Sequence, residues 1–267
     1  MNRALFGRTL AANRVRMVAC GLGLILWGAI LPVMYASFGK DLAALIGTNP
    51  LFEQFSRFGG GDLFSLHGAM ALGFIHPFTL LLVGIMAIGF PAIAIAGERQ
   101  RGTLEVILAR PISRRALFAT VYVAGLLFVG VLLATELGAN AVSASIMGVA
   151  GELAVANVPI LWLNGWLLFS AFLSVAFAAS ISFDRLPPAL GVPLVFMLIN
   201  YLADVIGSLW PAASWLQDWS LFHLVKAKLV LDGKVAVSDL AVLAAVSAVA
   251  VAYALATFPK RDLAAPS

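Results

Sequence analysis

Charge in this chain is concentrated in one stretch. Residues 97–115, GERQRGTLEVILARPISRR, hold five arginines and two glutamates between two long apolar runs. Side chains of these types at this density do recognition chemistry rather than bond-making. A charged hinge between two apolar runs has to sit in water and offer something to a partner. A second constellation is sparser. Asn200, Asp204 and Ser208 recur at i, i+4 and i+8 within an apolar run, so they share one helix face. A carboxylate there is costly unless it faces protein or water, which makes it a functional-site candidate. Two readings of the stripe stand side by side: the polar wall of a translocation groove, or a carboxylate that reaches outward or hydrogen-bonds a neighbouring helix. Asn164 and Ser170 are weaker candidates of the same kind.

Other chemistries lack their residues. His67, His76 and His223 are scattered, and no His/Cys/Asp group has metal-ligand spacing, so no metal site is expected. Seven methionines spread along the chain read as packing, and there is no G-x-S-x-G nucleophile motif. A nucleotide-binding loop needs G-x-x-x-x-G-K-[ST], because glycine amides cradle phosphates that the lysine neutralises. The Gly-Lys pairs, Gly39-Lys40 and Gly233-Lys234, lack both the upstream glycine and the trailing hydroxyl. The chain is therefore expected to be no enzyme and to hold no cofactor of its own. Cys20 is the single cysteine, so no intrachain disulfide can form.

The elements that position these residues follow from composition. Of 267 residues, 62% are hydrophobic and 11% charged, against roughly 25% charged in a soluble domain. Apolar runs of about 20 residues are long enough to cross roughly 30 Å of hydrocarbon. The pattern predicts an all-α integral membrane protein, residues 1–267 forming a single transmembrane domain. Six spans are expected at about 18–38, 74–96, 116–135, 160–182, 189–210 and 239–258. Pro32 should kink the first.

Residues 1–16 carry Arg3, Arg8, Arg14 and Arg16. They suit the charged start of a signal peptide or an amphipathic helix on the inner leaflet. The interfacial helix is favoured, because the apolar run continues to Phe38 and no small-x-small site precedes a soluble domain. A loop after the first span holds a possible amphipathic piece at Pro50–Phe58. Glu136 is expected at the far end of the third span, about 30 Å from Arg115 at the opposite interface. Residues 137–158 read as an outer loop with some helix, and 183–188 as an inner turn. Trp210, Trp215 and Trp219 read as an outer aromatic belt in and beside an outer segment at 211–238. With both ends inside, inner segments hold twelve lysines and arginines and outer segments five. That bias puts the charged stretch in the cytoplasm, and the excess basicity implies no nucleic acid.

Within the hinge, Gly102 lets the chain turn, Thr103 can cap, and Pro111 blocks continuation, so Thr103–Arg110 makes about two helical turns. Leu104, Ile107 and Leu108 form an i, i+3, i+4 stripe. Ser113 can cap the third span, with Arg114 and Arg115 at the headgroups. The residues alone allow two readings: a short helix lying on lipid, or a plug for a groove on a cytoplasmic partner.

The run Gly97-Glu98-Arg99, Arg101 to Glu105 and Leu108 to Arg114 resembles the intracellular signature of ABC-2 type transporter permeases, roughly G-E-x-x-x-G-T-L-E-x-L-L-x-x-P-x-S-R. The resemblance extends over the whole length, through the lead-in helix, six spans and extended outer segment. It implies the ABC-2 (type V exporter) architecture and a bacterial inner-membrane location with both termini cytoplasmic. It also implies that the hinge is a coupling helix docked into a separate cytoplasmic ABC ATPase. Glu98, Arg99, Gly102, Thr103, Leu104, Glu105, Arg110, Pro111, Ser113 and Arg114 would form the coupling region. Two ATPase subunits, carrying ATP and magnesium, would drive two permease copies or paralogues embedded in lipid. The expected function is export of an amphiphilic substrate such as a drug, lipid or lipid-linked molecule, with Asn200, Asp204 and Ser208 along its path. Alternatives are a transport-like accessory for maturing an extracytoplasmic metalloenzyme or for signalling, or an ATP-independent secondary transporter.

Overall fold

The structure, a computed structural model, describes residues 2–46 (side chains to Phe38), 65–109 and 111–261. Its helices are α1 (Arg3–Ile46), α2 (Leu66–Ile75), α3 (Pro77–Gln100), α4 (Thr103–Leu108), α5 (Arg114–Ile146), α6 (Val158–Ser182), α7 (Leu186–Leu209), α8 (Ala227–Leu231) and α9 (Val237–Thr257). Among the described residues six helices, α1, α3, α5, α6, α7 and α9, are long and apolar enough to cross a membrane.

α6 sits at the centre. Its Leu168, Phe169, Phe172 and Phe177 are buried against α3, α5, α7 and α9. Aromatic rings fill the space between the inner helices, with Phe90, Phe118 and Tyr122 ringed around Phe177 at centroid distances of 6.1, 5.6 and 5.7 Å. Trp162 and Trp166 of α6 donate their indole N–H groups to the Gly130 and Leu126 carbonyls of α5, at 2.8 and 2.9 Å. The peripheral faces of α1, α7 and α9 stay apolar and exposed (Leu26, Ile199, Val249), as helices bordering lipid or another subunit must.

α3 owes its irregularity to Pro91. Proline has no N–H to give and crowds the carbonyl one turn earlier. The helix answers with π turns at Ile85–Gly89 and Ile93–Gly97, on either side of Phe90–Ala92. Ser180 of α6 completes the repair: its hydroxyl donates to the Pro91 carbonyl at 2.8 Å and accepts from the Ala96 N–H at 2.9 Å.

Around the long helices, the structure departs from the sequence-based expectations in four places. No separate interfacial helix covers 1–16, because α1 runs unbroken for 44 residues, about 66 Å. Nothing between Arg14 and Val18 breaks it, and a break would leave up to four N–H and four C=O groups unpaired. The third span continues past Thr135 to Ile146, so much of the loop expected at 137–158 is helix, followed by 3-10 turns at Ala150–Glu152 and Val155–Asn157. Glu136 does not end that span at an interface. It is fully buried beside α1 and the α2–α3 junction. The second span begins at Pro77, preceded by α2, ten residues long and too short to cross. His76 separates the two: its Nδ1 accepts from the Phe78 N–H at 3.2 Å, and Pro77 occupies the first helical position. Pro50–Phe58 lies outside the described residues.

Candidate functional site

The hinge gathers at one end of the helix bundle. Gly102 turns the chain with φ 71°, a left-handed conformation that glycine adopts without strain. Thr103 does not cap α4. Its hydroxyl instead donates back to the Glu98 carbonyl at 3.1 Å and to Glu98 Oε2 at 2.5 Å. Glu98 Oε1 receives Arg101 Nη2 at 2.5 Å, so one carboxylate closes the turn from both sides. Ser113 accepts from the Ala116 N–H at 3.2 Å and starts α5. Pro111 and Ser113 are exposed. Arg110 lies outside the described residues.

The short helix faces the opposite way to a simple plug. Leu104 is 0% exposed, and Ile107 and Leu108 pack against the same core. The apolar stripe therefore holds α4 onto its own bundle. What α4 offers outward is Glu105, Val106 (67% exposed) and Ala109. A cleft of about 400 Å³ lies between this helix and the first turns of α1, bordered by Leu5, Arg8, Glu98, Val106 and Pro111.

Bolts that the sequence pattern did not announce fix the hinge to the rest of the molecule. Arg99, nearly buried, reaches Asp184 Oδ1 at 2.7 Å, in the turn between α6 and α7. Gln100 Oε1 accepts from the Leu186 N–H at 2.7 Å, capping the start of α7. The same Asp184 oxygen binds Arg261 Nη2, and Arg261 also donates to the Ser182 carbonyl. Arg114 Nη1 donates to the carbonyls of Pro259 at 3.1 Å and Arg261 at 2.5 Å. The start of α1, the hinge, the α6–α7 turn and the end of the last span thus lie at one end of the bundle. Asp184, Arg261 and Gln100 could not be found by spacing, because their partners are 77 to 86 residues away.

The polar stripe of α7 lies toward the other end. Asn200 and Asp204 are buried, and both are occupied by the segment that follows α7. Asn200 Oδ1 accepts from the Leu221 N–H at 2.9 Å, and its carbonyl accepts from Ser220 Oγ at 2.7 Å. Asp204 Oδ1 accepts from Gln217 Nε2 at 3.3 Å and lies 3.4 Å from His223 Nδ1. Ser208 donates to the Val205 carbonyl of its own helix. The stripe anchors the 3-10 helix Pro211–Trp219 and the residues after it. Trp210, Trp215 and Trp219 remain exposed on this side. Asn164 and Ser170 of α6 are buried.

A third polar centre, absent from the sequence-based candidates, surrounds Glu136. Thr79 donates to Glu136 Oε1 and to the Gly73 carbonyl, each at 2.9 Å. Trp27 Nε1 donates to that carbonyl at 3.1 Å.

Six apolar helices, with their charged hinge gathered at one end, define a multi-pass helical membrane protein. Residues 5–259 match the family described as multidrug efflux system permease Rv1217c, C-terminal domain. The chain belongs to that family and is a transporter permease. No curated protein and no solved structure matches it.

Proposed function

We propose that this permease is the membrane subunit of an ABC-2 type exporter, driven by separate cytoplasmic ATPase subunits that dock on the hinge. The observation that carries the reading is the two-sidedness of α4: Leu104 clamps it inward while Glu105 and Val106 stand outward beside an open cleft. A helix held this way transmits a push. Through Arg99 and Asp184, motion of the hinge reaches the inner ends of α6 and α7 directly. The resemblance of residues 97–114 to the ABC-2 signature is what supports an ATPase partner, to which ATP and magnesium would belong. Two ATPases would serve two permeases, whose apolar faces on α1 and α7 suit both lipid and a second copy. The basic bias of the hinge end supports a cytoplasmic placement with both termini on that side, and the resemblance to ABC-2 permeases supports the inner membrane of a bacterium.

An amphiphilic substrate suits the lateral groove of about 300 Å³ between α1, α3 and α7. Leu81, Ile85, Leu190 and Leu194 line it, and Arg16 stands at one end. The family's description as a multidrug efflux permease fits such a groove, and outward transport is read from it.

Co-purification of the full permease with its ATPase tests the reading, comparing wild type with Glu105→Arg and Val106→Asp. Loss of ATPase binding or of stimulated hydrolysis, with the permease still folded, is expected. Normal binding and stimulation by both variants would sink the docking role.

A further inference from the structure

Glu136 is 0% exposed and Asn140, one turn later on α5, is 2% exposed. Each has an oxygen that nothing donates to: Glu136 Oε2 and Asn140 Oδ1. The amide of Asn140 cannot be turned over to mend this. Its Nδ2 donates to the Glu136 carbonyl at 3.1 Å, and rotation would set oxygen against oxygen. Helix α1 seals the pair on one side. A Cβ at Gly28 would stand 2.6 Å from the Glu136 carbonyl oxygen and 3.2 Å from Asn140 Nδ2, so glycine is what lets the helices meet here.

An ionised Glu136 would be an acceptor-only group in a spanning segment, its unmet Oε2 on the same helix face as the unmet Asn140 Oδ1 one turn on. Burying such a charge without a partner is among the costliest arrangements a membrane protein can hold. Among the described residues no cation pairs with it. Among the described residues, the titratable groups on this part of the neighbouring elements are otherwise engaged. His76 caps Phe78 and its ring lies 4.5 Å from that of Trp27, Tyr35 donates to Glu152, and His67 binds Asp232. Cys20 is a buried thiol, and α6 carries no titratable side chain. A hard divalent ion would want about six oxygens, and only two are unmet. One added donor satisfies both.

We propose that Glu136 is a proton-binding site: its Oε2 carries one proton, directed at the Asn140 side-chain oxygen, while α1, α2, α3 and α5 are packed as seen. On release the proton passes to a water admitted at the α2–α3 junction, leaving a carboxylate and hydronium. The negative charge then drives Glu136 toward water. Four elements feel it at once, because Glu136 holds Thr79, Thr79 holds the Gly73 carbonyl, and Trp27 binds that same carbonyl. The site thereby links proton occupancy to closure of the bundle at this end, independently of which partner supplies energy.

Infrared difference spectra of the full-length permease in nanodiscs test this. At neutral pH the wild type should show the carbonyl stretch of a protonated carboxylic acid that Glu136→Gln lacks. Asn140→Ala should keep the band but move it to the position of an acid without a hydrogen-bond acceptor. On raising the pH, wild type should lose the band and thermal stability together, while Glu136→Gln should stay flat. If Glu136→Gln does not fold, the wild-type pH titration and the Asn140→Ala band shift carry the test alone. The proposal is overturned if the wild type shows no acid band at neutral pH, or if Asn140→Ala leaves the band in place. It is also overturned if Glu136→Gln loses stability with pH as wild type does, or if sodium rather than proton concentration sets the stability difference.

Discussion

Leu104→Ala and Val106→Ala differ by two positions on one short helix, and the structure assigns them opposite consequences. Leu104 is 0% exposed and packs into the main core, whereas Val106 is 67% exposed. Truncating a buried leucine costs roughly 2–5 kcal/mol, while a surface substitution away from special features costs within about 0.5 kcal/mol. Because α4 is only six residues long, the loss should fall on local opening of the hinge. Each 1.4 kcal/mol is about tenfold in an equilibrium constant. Even the low end for Leu104→Ala, about 2 kcal/mol, should therefore speed amide exchange of Ala109, whose N–H donates to the Glu105 carbonyl at 2.8 Å, by roughly 30-fold. Val106→Ala should leave that exchange within about threefold of wild type. The assay is hydrogen exchange of the purified permease read by mass spectrometry over residues 98–109. Equal exchange rates in the two variants would refute the inward-facing stripe. Faster exchange in Val106→Ala than in Leu104→Ala would reverse the assignment of faces altogether.

Three further outcomes are expected. Ser180→Ala removes the hydroxyl that serves both the Pro91 carbonyl and the Ala96 N–H; it should destabilise the permease by about 0.6–2 kcal/mol, seen as a lower melting temperature, and an unchanged melting point would mean the π turns need no support from α6. Asp184→Asn weakens the shared contact of Arg99 and Arg261; limited proteolysis should then cut the chain near Lys260 faster than in wild type, and equal cutting rates would rule out the carboxylate as the tether. At the opposite end of the bundle, the hydrogen bond from His67, then Lys228, holds the Asp232 carboxyl below its usual range. The Ala154 N–H donates to His67 Nε2, which leaves Nδ1–H to donate to Asp232. A depressed folded-state value means the contribution is present above the unfolded value near 3.8 and is lost as pH falls through the folded one. The acid limb of thermal stability should therefore be shallower in Asp232→Asn, and superimposable acid limbs would contradict the contact.

Hydropathy exposes what lipid demands along each helix, and so the six long apolar helices are legible in the sequence. Local geometry was legible too: Gly102 takes the left-handed turn and Ser113 caps α5 as their positions suggest. Contacts between helices were not legible. Residues 1–16 look amphipathic on their own, yet they continue α1 because nothing interrupts the backbone ladder. Glu136 reads as an interfacial residue only if the third span stops at the hydrocarbon edge. α5 instead runs on to Ile146 beside α1, and protein replaces water around the carboxyl. The stripe Asn200, Asp204, Ser208 is visible as a face, but its use in tethering the segment after α7 depends on residues up to 21 positions away. Ser180 carries no signal in the sequence at all; only the defect left by Pro91 on another helix gives it work.

The division of α4 into a face that grips and a face that greets has a consequence for inheritance. Within the short helix, the residue that fixes it to the bundle, Leu104, is not among those it turns outward, Glu105 and Val106. Substitutions at Glu105, Val106 and Ala109 can therefore accumulate without endangering the permease itself. Duplicated copies of such a gene could drift apart in the companion they accept while keeping one membrane architecture. Changing allegiance would take a few surface positions and no new fold.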